Sequence, residues 1–193
     1  MKGVGVGTAY YEIEVYDKNG KLIDRKRGKA ESILDNWMRL FMSIRDGSPW
    51  MPKDTNGNSP TISSIVFANS YGLASAGDDS YGIQVGTGTT AVDKFDYCLE
   101  SKIPHGSSSG QLSYGETSSY SAGTGLQVDE GMQRSFDNNS GADITINEIG
   151  MVLKVNDGSS DYYIMVMRDV ISATTVPNGG RVTIKYWFRW NPS

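Results

Sequence analysis

The sequence predicts a mainly β domain, two antiparallel sheets packed as a sandwich or jelly-roll-like arrangement with one amphipathic helix. Three observations predict it. Short segments alternate apolar and polar residues with period two, Gly, Asn, Asp and Ser turn signals recur between them, and only one stretch spaces its apolar residues as a helix does. A chain of 193 residues fits one domain and can bury about 70 per cent of its unfolded surface without a staple. Cys98 and His105 are the only cysteine and histidine, which excludes a disulfide framework or a structural zinc site within one chain.

The elements follow in order. Residues 1 to 8, with Gly3-Val4-Gly5-Val6-Gly7, read as a flexible arm. Tyr11, Ile13 and Val15 alternate with Glu12, Glu14 and Tyr16 before Asn19-Gly20, the preferred pair for a two-residue hairpin turn, and Leu22 to Arg27 returns. That register sets Arg25 opposite Glu14 and Arg27 opposite Glu12, which explains the basic run Arg25 to Lys29 as cross-strand pairing. The helix is expected from Ile33 to Arg45, with Ser32 as N-cap, Asp35 at its positive start, and Gly47 and Pro49 ending it. Its stripe of Ile33, Trp37, Leu40 and Ile44 is expected to cover a sheet.

Thr61 to Asn69 and Tyr81 to Val85 read as strands. Ile103 to Tyr120, rich in Ser and Gly, reads as a long surface loop around a weak strand at Gln111 to Tyr114. Val128, Met132 and Phe136 alternate. Ile144 and Ile146 continue on one face, but Ile149, Met151, Leu153 and Val155 have the opposite parity, so a bulge or bend is required between Asn147 and Gly150. Tyr163 to Met167 is apolar without alternation, as in a central strand covered on both faces. In the last strand Val182, Ile184, Tyr186, Phe188 and Trp190 oppose Arg181, Thr183, Lys185, Trp187 and Arg189, with Trp187 out of place on the polar face.

A net charge of −4 argues against broad nucleic-acid binding, and no apolar run is long enough for a membrane span. The N-terminus lacks the pattern of a signal peptide, which points to synthesis in a cytoplasm. A catalytic triad can be drawn from Ser107, His105 and Glu100, but these are residues of an expected loop and a triad is a matter of geometry. Gly86 to Thr90 lacks the Lys-Ser or Lys-Thr of a phosphate loop. Asp78-Asp79 and Asp93 with Asp96 lack EF-hand spacing and read as turn acids. Glu148, in an apolar strand beside the expected bulge, reads as a hydrogen-bonded structural carboxylate. No cofactor is implied, and the chain reads as a structural or binding protein, not an enzyme.

Several segments carry a resemblance in their shared order: Ile83 to Val92, Asp96 to Ile103, Gly110 to Gly115, Arg134 to Gly141, Ile144 to Gly150, Arg168-Asp169-Val170 and Val176 to Gly180. Over roughly residues 82 to 189, with an echo at Asn36-Trp37, the chain resembles uncharacterised structural proteins of tailed bacteriophages and prophages. The resemblance implies a virion component, either a capsid decoration protein, a head fibre or a tail part, and transfers no catalytic residues. Its partners would be copies of itself and other virion proteins. The alternatives are a carbohydrate-binding receptor module that stacks a host-surface glycan on aromatic rings, or a polysaccharide-degrading enzyme with paired carboxylates. The candidate interface comprises Trp187, flanked by Lys185 and Arg189, together with His105, Tyr114 and Tyr120 of the expected loop.

Overall fold

The computed structural model describes residues 8–30, 33–46, 51–62, 65–66, 71–124 and 127–190, without the side chains of residue 41 and residues 43–46. The chain forms β1 (Thr8–Tyr16), β2 (Leu22–Lys29), α1 (Asp35–Asp46), β3 (Gly82–Gly86), β4 (Ser113–Thr124), β5 (Gln127–Asp137), β6 (Ile144–Asn156), β7 (Asp161–Val176) and β8 (Arg181–Trp190). Two antiparallel sheets result, one ordered β2-β1-β8-β5-β4 and the other β3-β6-β7. Ile13, Val15, Phe136, Val182, Ile184 and Tyr186 of the first share one buried core with Ile83, Val85, Ile146, Ile149 and Val166 of the second.

The β1–β2 register is the expected one, with Glu12 opposite Arg27 and Glu14 opposite Arg25. The turn is one residue longer. Asp17 and Lys21 close around three residues, and Gly20 takes φ 78°, which a side chain would disfavour. Of the expected ion pairs, Arg25 meets Glu14 straight across at 3.5 Å, and a diagonal bond is added to it. Arg25 reaches Glu12 at 2.8 Å, Lys185 bridges Glu12 and Glu14 at 2.9 and 3.0 Å, and Arg27 lies over the Trp187 ring.

The parity change in β6 coincides with a register shift at Asn147. Between the pairs Ile146–Thr174 and Glu148–Val170, Asn147 alone faces Ile171, Ser172 and Ala173, so the extra residues belong to β7. Ile144 and Ile146 and then Ile149, Met151 and Val155 thereby enter the same core.

Four expectations are corrected. Helix α1 begins at Asp35, and Ile33 instead bridges Met167 in extended backbone. β7 is an edge strand, not a central one, although Ile164 to Met167 are buried as expected. Its outer backbone is met by the start of α1 and by neighbouring loops: Leu34 N–H bonds Val166 O, the Asn36 side-chain amide bonds Met165 O and Thr55 N–H bonds Tyr163 O. The 103–120 segment is not one long surface loop, because Ser113–Thr124 is β4, and Ile103, Leu112 and Tyr114 are buried. Serine and glycine masked this strand because its side chains are half exposed and small. Finally, Thr61 to Asn69 is no strand where described; Ile62 is a buried isolated bridge residue. Residues 1–7, Ser32, Gly47 and Pro49, on which the arm and the helix caps were placed, lie outside the described residues, while Thr8 opens β1.

Candidate functional site

Burial fades along two neighbouring strands toward the same end of the molecule. On the core face of β8, Val182, Ile184 and Tyr186 are inaccessible, but Phe188 is 37% and Trp190 46% exposed. On β5, Phe136 is buried, Met132 half-buried and Val128 exposed. Trp190 and Val128 are cross-strand partners, so the larger sheet outruns its cover here. Trp37 of α1 stacks on Phe188 with ring centroids 6.4 Å apart, and Ile33, Tyr71 and Leu73 stand exposed nearby. Between these groups and Met132, Met151 and Leu153 runs an apolar groove of about 420 Å³. An apolar patch left open in this way marks a contact surface. Alternation alone did not reveal it, because period two gives the facing of a side chain and not the length of the opposing sheet.

The residues singled out from sequence fall into two groups. Trp187, Lys185, Arg189 and Tyr120 meet on the outer face of the larger sheet, while His105 and Tyr114 sit elsewhere, their rings edge to face at 6.2 Å. Trp187 is no exposed platform. It is 2% accessible, stacked on Tyr10 at 5.6 Å, flanked by Tyr120 at 5.7 Å and capped by the Arg27 guanidinium at 4.8 Å. Tyr114 is also buried and donates its hydroxyl to Ile103 O at 2.6 Å. Both are withdrawn from the candidate interface. Lys185 is held by Glu12 and Glu14, and Arg189 by a two-pronged pair with Asp129 at 2.8 and 2.6 Å.

This outer-face ladder makes stability depend on pH. Burial raises the Glu12 carboxyl, but hydrogen bonds from Lys185 and Arg25 more than offset it, leaving its pKa below the ordinary value. Hydrogen bonds from Arg189 hold Asp129 below its ordinary value too. A lowered folded-state pKa gives stabilisation that is complete above the unfolded pKa, about 4, and is lost as pH falls through the folded value. The melting temperature is therefore expected to hold between pH 7 and about 5 and to drop below about pH 4. The Glu12→Gln/Asp129→Asn double variant should melt lower at neutral pH and show a shallower acid slope. An acid slope identical to that of the parent would refute this assignment.

The candidate catalytic and metal-ligating groups are bonded to the fold itself. His105 accepts the Tyr114 amide through Nδ1 and Glu100 accepts from Thr90, so neither serves Ser107. Asp79 accepts the His105 amide and pairs with Lys102, Asp93 accepts the Phe95 amide, and Asp96 accepts from Arg168. Among the described residues no three His, Cys, Asp or Glu side chains gather to hold a metal ion. The backbone N–H of Gly88, in the Gly86 to Thr90 loop, already binds the Glu148 carboxylate at 3.0 Å.

Four buried polar groups do most to tie loops to sheets. Glu148, fully buried, accepts the amides of Gly88, Glu100 and Ser101 and the Arg168 Nε–H. Arg168, 2% exposed, spends its other nitrogens on Asp96 and the Thr90 carbonyl. Arg134 addresses five carbonyls, and Asn138 joins its own turn to the one at Val176. Arg134 was legible in principle, since it shares parity with Met132 and Phe136 and must therefore face inward.

No protein-family model, curated protein or solved structure matches the chain. Fold and site define a mainly β protein of two antiparallel sheets whose buried polar groups brace loops and which carries an apolar groove at one end.

Proposed function

We propose that the protein is a structural component of a tailed-phage or prophage particle, a decoration protein, head fibre or tail part. It acts by self-association and by binding other virion proteins, not by catalysis. The observation that carries the reading is the contrast between braced ionisable groups and the open apolar end lined by Trp37, Phe188 and Leu73. That contrast supports a contact protein, because exposed aromatic and aliphatic clusters are what protein interfaces bury. The segments that resemble virion proteins support it further. Gly86 to Ser101, Ile144 to Gly150 and Arg168 meet at the Glu148 cluster, so what they encode is a scaffold. We take the scaffold to be a jelly-roll-like sandwich, since the chain passes between sheets at β2–β3, β3–β4, β5–β6 and β7–β8.

The test is quantitative mass spectrometry of particles purified from a culture that carries the gene. The chain is expected in the particle fraction at a fixed ratio to the major capsid protein. Its recovery in the free soluble fraction alone would overturn the assignment.

A further inference from the structure

The four edges of the two sheets are treated very differently. β3 is sealed by residues 101–103, with Ile103 N–H on Val85 O, Thr87 N–H on Ser101 O and Gly86 bridged to Lys102. β7 is sealed by Leu34, Asn36 and Thr55, and farther along by Lys26, whose Nζ bonds the Ser172 and Ala173 carbonyls. β2 is open but carries Asp24, Arg25, Lys26, Arg27 and Lys29, the charged side chains that deter strand addition. β4 is covered only at its start, where Gly77 N–H bonds Tyr114 O and Thr117 N–H bonds Ala74 O. Beyond that, Ser118-Ser119-Tyr120-Ser121-Ala122-Gly123-Thr124 has no charge and no proline, and no described residue pairs with its outer side.

We infer that this stretch of β4 is a strand-addition surface whose partner is the same stretch of a second copy, joining two five-stranded sheets into one across a two-fold axis. The inference rests on the reading above that the protein works by self-association, and it names the surface. Thr117 N–H points outward, so by the alternation of an antiparallel ladder the backbone groups of Ser119, Ser121 and Gly123 do so as well. A two-fold axis at Ser121 pairs these groups completely: Ser121 faces Ser121, and Ser119 faces Gly123 of the other copy. Charge selects this partner. Self-pairing at β4 sets no like charges opposite each other, whereas self-pairing at β2 would crowd Arg25, Lys26 and Arg27 together. Such a contact is isologous and closes as a dimer. The edge also starts at the apolar groove, which Ser119 lines, so the two copies would flank that groove.

The experiment is sedimentation equilibrium on purified protein over a broad concentration series, with circular dichroism to verify folding. The parent chain is expected to dimerise. Ser121→Lys should fold, because Glu130 lies directly across on β5, yet it sets two ammonium groups together at the axis and should weaken the dimer on the order of tenfold or more. Ser121→Pro, which removes the outward N–H and one exposed hydroxyl bond to Glu130, should do the same and reads the effect if the lysine variant misfolds. Ile23→Lys on β2 should leave the dimer unchanged. A strict monomer, or a dimer indifferent to both Ser121 variants, overturns the inference. A monomer still found in particles defeats this edge but not the virion reading, and a Ser121-dependent dimer absent from particles does the reverse.

Discussion

Glu148→Ala is expected to abolish cooperative folding at neutral pH, or to reduce it to a residual of the parent's stability. Each oxygen of the carboxylate accepts two hydrogen bonds: Gly88 and Ser101 N–H at 3.0 and 2.8 Å on one, Glu100 N–H and Arg168 Nε–H at 3.0 and 2.9 Å on the other. Truncation therefore leaves three amides and the Arg168 Nε–H without their acceptor, and Arg168 without its one fully buried counter-charge. Removing one member of a buried ion pair costs about 3–5 kcal/mol. Each abandoned buried donor adds about 1–3 kcal/mol unless water reaches it. The sum is comparable with the whole stability of an ordinary domain, about 5–15 kcal/mol. The measurement is urea unfolding followed by tryptophan fluorescence. In the Glu148→Gln/Arg168→Met variant the stranded charge is gone as well, so it should recover part of the loss. A Glu148→Ala chain within about 1 kcal/mol of the parent would show that the cluster does not carry this load.

The same cluster explains why a loop of such polar composition is held in place. Residues 87 to 102 have few apolar side chains to bury beyond Leu99 and Val92, which pack on the outer face of the smaller sheet with Leu34, Tyr81 and Met165. Hydrophobic burial of that size does not position a 16-residue excursion. A carboxylate and a guanidinium that between them bind Gly88, Thr90, Asp96, Glu100 and Ser101 can do so, because each alternative loop path strands a buried charge.

Period two disclosed the strands whose two faces differ. β1, β6 and β8 were legible because Ile13, Val15, Ile146, Val182 and Ile184 alternate with polar residues. The parity change between Ile146 and Ile149 even located the irregularity in register. β4 was illegible because Ser118 to Thr124 has neither an apolar face nor a charged one, as befits an edge strand with one side uncovered. The central placement of β7 failed for a related reason. Burial on both faces does not require strands on both sides when Leu34, Asn36 and Thr55 close the edge instead. At the candidate site, the misfit of Trp187 was visible but its meaning was not. Its cover comes from Tyr10, Arg27 and Tyr120, which are far away in sequence, and not from the flanking Lys185 and Arg189.

Arg134→Met is expected to destabilise the protein by about 5 kcal/mol, with Arg134→Lys intermediate. The guanidinium has five N–H groups, and each meets a carbonyl: Gly115 from Nε, Tyr81 and Ile83 from one terminal nitrogen, Ser75 and Asp78 from the other. Its flat face lies 4.7 Å from the centre of the Tyr114 ring. No described carboxylate pairs with it, and burial pushes its pKa below the usual guanidinium value. It is held by the Tyr114 ring face and by five carbonyl dipoles, converging from the loop before β3, from β3 and from the irregular stretch of β4. Methionine matches the stem but removes the guanidinium donor from all five oxygens, with Ser75 O keeping the Asp78 amide. Lysine brings three donors on a point charge that cannot reproduce the planar fork. The effect is also expected to be local before it is global. Gly77 and Thr117, whose amides close the start of β4 against residues 74–77, should lose hydrogen-exchange protection in both variants, while Ile13 and Ile184 at the sheet centre keep theirs in the lysine variant. Uniform loss across the molecule, or stability unchanged in Arg134→Met, would mean that the loop is held by its apolar contacts and that the five-carbonyl site is incidental.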